Sequence, residues 1–351
     1  LPRPLPITVV TNGAARVRDE TLAYPGKTTV AGPARVIPRE VPGVHVATLD
    51  IQLPAPVETG FWGRKSAEDA RAAAMATLQT RVLEDLLSEP WDGMAALRGD
   101  RRFECAMNPV ALPDAAPVAE KGGVYLITGG FGGIGLTLAQ SFAAKGAKLV
   151  LVARRALPDR ASWPDYLSRH APQDMAARRI RAVQALEEAG AEVMVVAADV
   201  CNLTQMQRVR DAAIDRFGPM TGVIHGAGVI ADAPLLTKTP AGVEDVFTPK
   251  IHGTEVLGQL FPDGAVDWMA LFSSSSTVTA PAGQVDYVAA NEYLNAFARA
   301  RDGGKTRVVA INWGIWNEVG MAAEAVAERQ GDLPAAPVDP VALPLLDEAS
   351  F

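Results

Sequence analysis

Residues 122–147 read GGVYLITGGFGGIGLTLAQSFAAKGA, and this stretch decides the fold. A short apolar run leads into a glycine-rich turn, and an alanine- and leucine-rich segment follows the turn. This order predicts a buried strand, a tight turn and a helix. Two overlapping patterns lie in the turn: GxGxxG through Gly130, Gly132 and Gly135, and TGxxxGxG through Gly129, Gly133 and Gly135.

Such a turn predicts a site for the pyrophosphate of a dinucleotide. Backbone N–H groups at the start of the following helix attract phosphate, and glycines let the backbone approach it closely. A flexible loop without a ligand is the alternative interpretation, and the strand-to-helix context favours the binding site. We expect the cofactor contacts to come from Thr128, Gly129, Gly130, Phe131, Gly132, Gly133, Ile134 and Gly135.

The next strands supply further candidate cofactor contacts. KLVLVARR ends in Arg154 and Arg155, where an NAD site usually carries an acidic residue for the ribose 2′-hydroxyl. Two guanidinium groups suit a 2′-phosphate and favour NADPH, although a solvated basic pair is the alternative. Asp199 and Val200 follow the third strand, where a carboxylate can meet the adenine amino group. Small residues end the fourth strand and let a cofactor pass close to the backbone: Gly226, Ala227 and Gly228.

The fold class follows from the alternation of apolar and amphipathic segments. Six segments are predicted as buried strands: GVYLIT, KLVLVAR, EVMVVAADV, GVIHGAG, WMALFSS and RVVAINWG. Each is followed by a stretch typical of a helix, so we expect an α/β fold with a doubly wound parallel sheet of the Rossmann type. Stretches rich in proline and alanine at 113–117 and 332–344 mark the expected boundaries.

The first part of the chain is predicted to be a separate, structural subdomain. ITVVTNG and HVATLDI are typical of strands, and residues 68–87 of a helix. The first strand runs into TNGAA, which lacks a phosphate cradle, so a structural role is favoured over a second active site. We expect this subdomain at 1–118, a catalytic subdomain at 119–331, and a tail or linker at 332–351. The opening LPRPLP has no secretory pattern, and we expect a longer native polypeptide.

Composition limits the classes of function. The formal net charge is −7 and the pI about 5.3, which argues against nucleic acid as a partner. No apolar run reaches the roughly 18 residues of a membrane-spanning helix. Cys105 and Cys201 form no disulfide framework, and no metal-ligand spacing accompanies the four histidines. We therefore expect a cytoplasmic protein without a metal.

The candidate catalytic residues are Lys250, Ser274, Tyr287 and Asn291. Tyr287 and Asn291 lie four residues apart in a segment of helical periodicity, so they share a face. A tyrosine that gives a proton to a nascent alkoxide needs a lowered pKa, which the ammonium of Lys250 is expected to provide. Ser274 is expected to donate a second hydrogen bond to the carbonyl oxygen. A surface lysine and a polar strand end are the alternatives for Lys250 and Ser274.

These residues resemble the short-chain dehydrogenase/reductase superfamily and, within it, the ketoreductase domains of type I modular polyketide synthases. Most of the superfamily has a lysine four residues after the tyrosine, whereas this chain has Asn291 there and its lysine in PKIHGT. The serine lies 13 residues before Tyr287 and the lysine 37 before it, as in that family. VVTNGAARVRDE and LRGDRRFECAMNPV resemble the family's truncated, noncatalytic Rossmann-like half, and residues 157–180 an extra loop.

The resemblance implies NADPH-dependent reduction of a β-ketoacyl thioester carried by the phosphopantetheine arm of an acyl carrier protein, beside neighbouring synthase domains. Ile230, Ala231 and Asp232 resemble the LDD signature of B-type ketoreductases, and Thr279 replaces the A-type tryptophan. Asp232 is thus expected to control stereochemistry. A free-standing reductase of a small ketone and a redox-silent epimerising or scaffolding domain are the alternatives. The sequence identifies neither the acyl chain, nor the neighbouring domains, nor the oligomeric state.

Overall fold

The computed structural model describes residues 4–56, 64–111, 118–314 and 316. Their strands form two sheets, and helices connect the strands. The strands are β1 (Leu5–Thr11), β2 (Val44–Ile51), β3 (Gly93–Arg98), β4 (Arg101–Glu104), β5 (Val124–Thr128), β6 (Lys148–Ala153), β7 (Glu192–Ala197), β8 (Gly222–His225), β9 (Trp268–Ser274) and β10 (Arg307–Trp313). The helices are α1 (Ala31–Glu40), α2 (Arg64–Leu86), α3 (Gly133–Ala143), α4 (Trp163–Arg169), α5 (Met175–Glu188), α6 (Leu203–Phe217), α7 (Pro240–Phe247), α8 (Gly253–Leu260), α9 (Ser276–Thr279) and α10 (Val285–Ala300).

The first sheet has the strand order β1-β2-β3-β4. The three leading strands pair in parallel, and β4 returns antiparallel to β3. The predictions of β1, β2 and α2 are confirmed, whereas β3, β4 and α1 carry no clear sequence pattern. Strand β4 is only four residues long and carries two arginines, and α1 contains Pro38 in its last turn, a residue that ordinarily argues against a helix.

The second sheet has the strand order β10-β9-β8-β5-β6-β7 and contains all six predicted strands. Counted from β5, this is the order 3-2-1-4-5-6 of a doubly wound dinucleotide-binding sheet, and β5 pairs in parallel with both β6 and β8. Every residue of β5 is buried, as expected where helices cover both faces of a parallel sheet. The predicted fold class is confirmed. Ligands bind such sheets where the strand order reverses, here at the carboxyl ends of β5 and β8.

The prediction of a loop at residues 157–180 is wrong, because α4 and the start of α5 occupy most of this stretch. Trp163 begins α4 with its ring buried, and its indole N–H donates to the Pro158 carbonyl at 2.9 Å. Asp174 caps α5 by accepting from the Ala177 N–H at 2.8 Å. The amphipathic stretch RRIRAVQALEEAG at 178–190 predicts a helix, and α5 confirms it, so the sequence misses only α4 and the first turn of α5.

Contacts divide the chain into two compact units that do not follow the chain order. The first comprises the described residues within Leu1–Ala115, Ile230–Thr254 and Leu271–Trp313. The second comprises those within Ala116–Val229, Glu255–Ala270 and Gly314–Phe351. The predicted boundary at 118/119 stays a prediction, and the predicted tail at 332–351 lies outside the described residues.

Within 4–56, 64–111, 118–314 and 316, no helix has the length and hydropathy to cross a bilayer. In the same part of the chain, histidine, cysteine and carboxylate side chains form no group that could hold a metal ion.

Candidate active site

Lys250 is buried in the first unit, with 3% of its surface exposed. It lies in a π-helical turn, Thr248–His252, between α7 and α8; such turns are frequent at functional sites. Its Nζ donates to the Phe272 carbonyl at 2.9 Å and lies 5.3 Å from the centre of the Tyr287 ring. Burial lowers the pKa of Lys250 to about 7. The side chain is therefore no surface lysine, and it titrates near neutral pH.

Tyr287 and Asn291 lie one turn apart on α10 and are both buried, as their spacing predicts. The Asn291 amide nitrogen donates to the Tyr287 carbonyl at 2.8 Å, and the Asn291 carbonyl accepts from Ser273 Oγ at 3.2 Å. Asn291 Oδ1 accepts no hydrogen bond from the described residues. Asn291 thus braces the backbone of Tyr287 and retains a buried acceptor.

Ser274 ends β9 and lies beside Tyr287. Burial raises the pKa of Tyr287, and hydrogen bonding with Ser274 and Asn291 opposes this rise. The Ser274 hydroxyl also accepts from the Ser276 N–H at 3.1 Å, which fixes its position at the start of α9. The structure brings the four predicted residues together within the first unit.

The predicted lowering of the Tyr287 pKa by Lys250 is not what the structure gives. Desolvation is the largest effect on both groups, and it favours the neutral form of each. Tyr287 therefore keeps its proton at neutral pH, while the pKa of Lys250 lies near neutral pH. The sequence indicates which groups meet but not how deeply they are buried, and the depth of burial sets the direction of each pKa shift.

The glycine-rich turn lies in the second unit and is packed too tightly for side chains. Gly129 has φ +68°, and a Cβ there would lie 2.5 Å from the Gly226 carbonyl oxygen. A Cβ at Gly135 would lie 2.6 Å from the Gly129 carbonyl oxygen. The Gly226 N–H donates to the Thr128 carbonyl at 3.0 Å, which joins the turns after β5 and β8. The backbone is left open at the start of α3, so this turn fits a pyrophosphate.

Three arginines lie within electrostatic range of one another beside Phe131 of this turn or just after β6. Arg154 and Arg155 are exposed just after β6, as predicted. Arg179 on α5 lies with its guanidinium carbon 5.4 Å from the centre of the Phe131 ring. Burial lowers the pKa of Arg179, and the charges of Arg155 and Arg154 lower it further. Mutual repulsion of these three cations fits a site for an anion. The sequence does not predict Arg179 as part of this site, because nothing in the local sequence distinguishes it from Arg178.

The remaining predicted cofactor contacts lie at the ends of β7 and β8. Asp199 is exposed, and its Oδ1 accepts from the Cys201 N–H at 3.0 Å. Val200 is buried. Gly226, Ala227 and Gly228 follow β8, where His225 Nδ1 and Thr128 Oγ1 lie 2.7 Å apart in the interior. His225 therefore packs the strand ends together.

Asp232 is exposed in the first unit and accepts from Gln284 Nε2 at 3.0 Å. Its charge raises the pKa of Tyr287, although less than burial does, so its carboxylate lies within electrostatic range of the phenol.

A sheet of this order with a glycine-rich turn after β5, and a buried tyrosine beside a serine and a lysine, define a short-chain dehydrogenase/reductase. The family model of the KR domain matches residues 123–318, and the chain belongs to that family. Polyketide synthases and ketoreductases of such synthases are among its relatives and structural neighbours.

Two curated relatives illustrate the match. One is 6-methylsalicylic acid synthase of Aspergillus terreus, which is 41% identical over 202 residues. The other belongs to the phenolphthiocerol/phthiocerol polyketide synthase of Mycobacterium tuberculosis and is 38% identical over 258 residues. The matches cover 57% and 70% of this chain but 11% and 13% of those proteins. The chain therefore corresponds to a small part of each relative.

Solved structures of polyketide synthase ketoreductases are also similar to this chain. An A-type ketoreductase from a modular polyketide synthase aligns with a TM-score of 0.68 at 28% identity, over 93% of this chain and 62% of that one. The first ketoreductase of the tylosin polyketide synthase aligns with a TM-score of 0.66 at 30% identity, over 90% and 60%.

Proposed function

We propose that this chain reduces the β-ketoacyl thioester of a carrier protein to the β-hydroxyacyl thioester, with NADPH as reductant, during polyketide chain elongation. The observation that carries the proposal is the buried cluster of Tyr287, Ser274 and Lys250. The reduced nicotinamide supplies a hydride to the carbonyl carbon when it is bound. The carbonyl oxygen takes a proton, so the ketone becomes a secondary alcohol.

The protein's own groups handle that proton. Tyr287 holds it at neutral pH because burial raises the pKa of the phenol, and it gives the proton to the carbonyl oxygen as the alkoxide forms. Ser274 donates a hydrogen bond to the same oxygen and stabilises its developing charge. Protonated Lys250 beneath the ring stabilises the phenolate that remains. Asn291 Oδ1 is an acceptor for water that returns a proton to this cluster.

NADPH is proposed over NADH because the cations beside the glycine-rich turn suit a 2′-phosphate. Arg154 and Arg155 would hold that group, with Arg179 beside them. The glycine-rich turn from Thr128 to Gly135 would hold the pyrophosphate, and Asp199, Val200 and the run Gly226, Ala227 and Gly228 would line the rest of the cofactor.

The carrier protein is proposed from the relatives, which are named as synthases and of which this chain corresponds to a small part. We place the chain in the cytoplasm, next to other synthase domains. Of the alternatives, a redox-silent domain is disfavoured because the four polar residues and the glycine-rich turn are all present. A free-standing reductase of a small ketone is disfavoured because residues 123–318 match a synthase domain family.

The proposed stereochemistry is B-type. Hydride and proton come from fixed groups, so the configuration of the alcohol depends on the side from which the thioester enters. Asp232 lies close to Tyr287, and we propose that its loop guides entry to give the D-configured hydroxyl. A mainly L-configured alcohol from a carrier-bound substrate would refute this assignment.

The proposal is tested by reduction of a β-ketoacyl N-acetylcysteamine thioester with NADPH. Tyr287→Phe removes the proton donor and keeps the ring, so kcat should fall by about 100- to 10,000-fold while NADPH binding stays unchanged. Tyr293→Phe, at another buried tyrosine of α10, is the matched control and should stay within about twofold. Retention of a tenth of the activity by Tyr287→Phe would sink the assignment, as would a wild-type protein that reduces no β-ketothioester.

A further inference from the structure

The loop that carries Asp232 is held to the start of α10 by a buried ion pair. Lys238 Nζ donates to both carboxylate oxygens of Asp286, at 2.6 and 2.8 Å, and to the Ala231 carbonyl. The two side chains are only 6% and 1% exposed. Asp286 immediately precedes Tyr287, and its Oδ1 also accepts from the Tyr287 N–H at 2.8 Å. One lysine therefore joins the Asp232 loop to the backbone of the proton donor.

A second set of hydrogen bonds connects the same two segments to α1. Glu40 ends that helix, and its two oxygens accept from the N–H groups of Leu235 and Gly283, at 2.6 and 2.8 Å. These groups are separated from Glu40 by 195 and 243 residues along the chain. Between them, the Ala233 N–H donates to the Gly283 carbonyl at 3.0 Å. The end of α1 thus holds together the segment after Asp232 and the segment before α10.

The buried ion pair of Lys238 and Asp286 is not explained by a gain in stability alone. Desolvation of two charges largely offsets their attraction, and well-packed apolar residues often replace such pairs at no cost. What the pair does supply is a fixed geometry, because three donors on one ammonium are aimed at two separate segments. The exposed Asp232 carboxylate is meanwhile held by Gln284, two residues before Asp286.

We propose that Lys238, Asp286 and Glu40 are positioning residues that fix the Asp232 loop relative to Tyr287 and thereby set the side from which the substrate enters. The inference rests on the proposed function, because entry side is observed only in the product. Its consequence is that residues outside the group of Lys250, Ser274, Tyr287 and Asn291 control the configuration of the alcohol.

The test compares product configuration among variants of the full chain, with β-ketopentanoyl N-acetylcysteamine thioester and NADPH as the probe. The double variant Lys238→Met with Asp286→Asn removes the pair without leaving a lone buried charge, and the new amide oxygen can still accept from the Tyr287 N–H. Glu40→Gln keeps shape but can accept only one of the two N–H groups. Each change should raise the share of the minor enantiomer by about fivefold and lower kcat/KM, whereas Lys238→Arg should retain most of the selectivity.

Asp50→Asn is the matched control. It breaks another buried ion pair of the same unit, Asp50 with Arg98 at 2.9 Å, and should lower stability without changing the enantiomer ratio. The inference is overturned if the enantiomer ratio is unchanged both in the Lys238→Met/Asp286→Asn double variant and in Glu40→Gln. It is also overturned if Asp50→Asn changes the enantiomer ratio equally. A wild-type protein that reduces the thioester without selectivity overturns the inference alone, whereas one that reduces nothing overturns the proposed function as well.

Discussion

The two sheets of this protein begin alike and then treat the turn after the first strand in opposite ways. After β1 the chain turns through Gly13 at φ +71°, and after β5 it turns through Gly129 at φ +68°. In the first turn, Asp50 from the end of β2 accepts from Thr11 Oγ1 and from the Ala14 N–H, each at 2.8 Å. The protein's own carboxylate thus takes the donors that an external anion would need.

One further contact closes the first turn. Arg98 donates to the second oxygen of Asp50 at 2.9 Å, so the internal anion is itself neutralised. The cavity lined by Thr11, Ala14 and Asp50 measures about 20 Å³, close to the room that one water needs. At the second turn, Arg179 lies over Phe131 instead, and the charges of Arg154 and Arg155 reach Arg179. Whether a Rossmann-like turn binds a dinucleotide therefore depends on what already occupies its donors.

The largest expected effect comes from placing the same methyl group in each turn. In Gly129→Ala the Cβ would meet backbone, 2.5 Å from the Gly226 carbonyl oxygen, and KM for NADPH should rise by about 100-fold or more. In Gly13→Ala the Cβ would meet the exposed ring of Tyr24 at 2.7 Å, which can move. That variant should cost about 1–2 kcal/mol of stability and leave KM within about twofold.

Steady-state kinetics over a range of NADPH concentrations and thermal unfolding of each variant make this comparison. If Gly13→Ala weakens NADPH binding as strongly as Gly129→Ala does, the first turn is part of a functional site and its structural assignment is wrong.

The arginines of the second turn give the next largest effect. Replacing Arg154 and Arg155 by alanine removes charge-assisted hydrogen bonds to the 2′-phosphate, so KM for NADPH should rise by about 10- to 100-fold while KM for NADH changes little. Arg179→Ala should raise KM for NADPH by about tenfold, because its guanidinium adds to the positive potential of Arg154 and Arg155 at the proposed 2′-phosphate site.

Arg178→Ala is the control for Arg179→Ala, since Arg178 is the exposed neighbour on the same helix. Equal effects of the arginine changes on NADPH and NADH, measured as initial rates, would make the cluster structural.

The smallest effect is a pH dependence that separates the buried cation from the exposed ones. Burial lowers the pKa of Lys250 to about 7, so the ammonium is present below that pH and is lost above it. If the ammonium stabilises the phenolate, kcat should fall about tenfold per unit as pH rises past 7, whereas the arginines stay charged throughout. A pH–rate profile that is flat from pH 6 to 9 would contradict this role.

The same shift predicts the sign of a stability change. The folded-state pKa lies below the unfolded value, so the unfolded chain binds the extra proton between about pH 7 and 10.4 and stability rises with pH across that window. Lys250→Met removes this cost, and it should raise the melting temperature at pH 7 by a few degrees while activity is lost.

Local pattern determined much of this protein. The six strands of the second sheet, the glycine-rich turn and the spacing of Ser274, Tyr287 and Asn291 are readable because each depends on neighbours within a strand, a turn or one helical turn. The basic pair Arg154 and Arg155 is readable for the same reason, since it follows a strand end directly. The cofactor and catalytic roles of these residues stay predictions.

Tertiary structure alone decided the rest, because the partners lie far apart in the chain. Asp50 fills the first turn from a position 36 residues beyond Ala14, and Glu40 reaches groups 195 and 243 residues away. Arg179 meets Phe131 of the second turn from α5, 48 residues further along the chain. The depth of burial that raises the pKa of Tyr287 and lowers that of Lys250 is a property of the packed core, which no spacing of residues reveals.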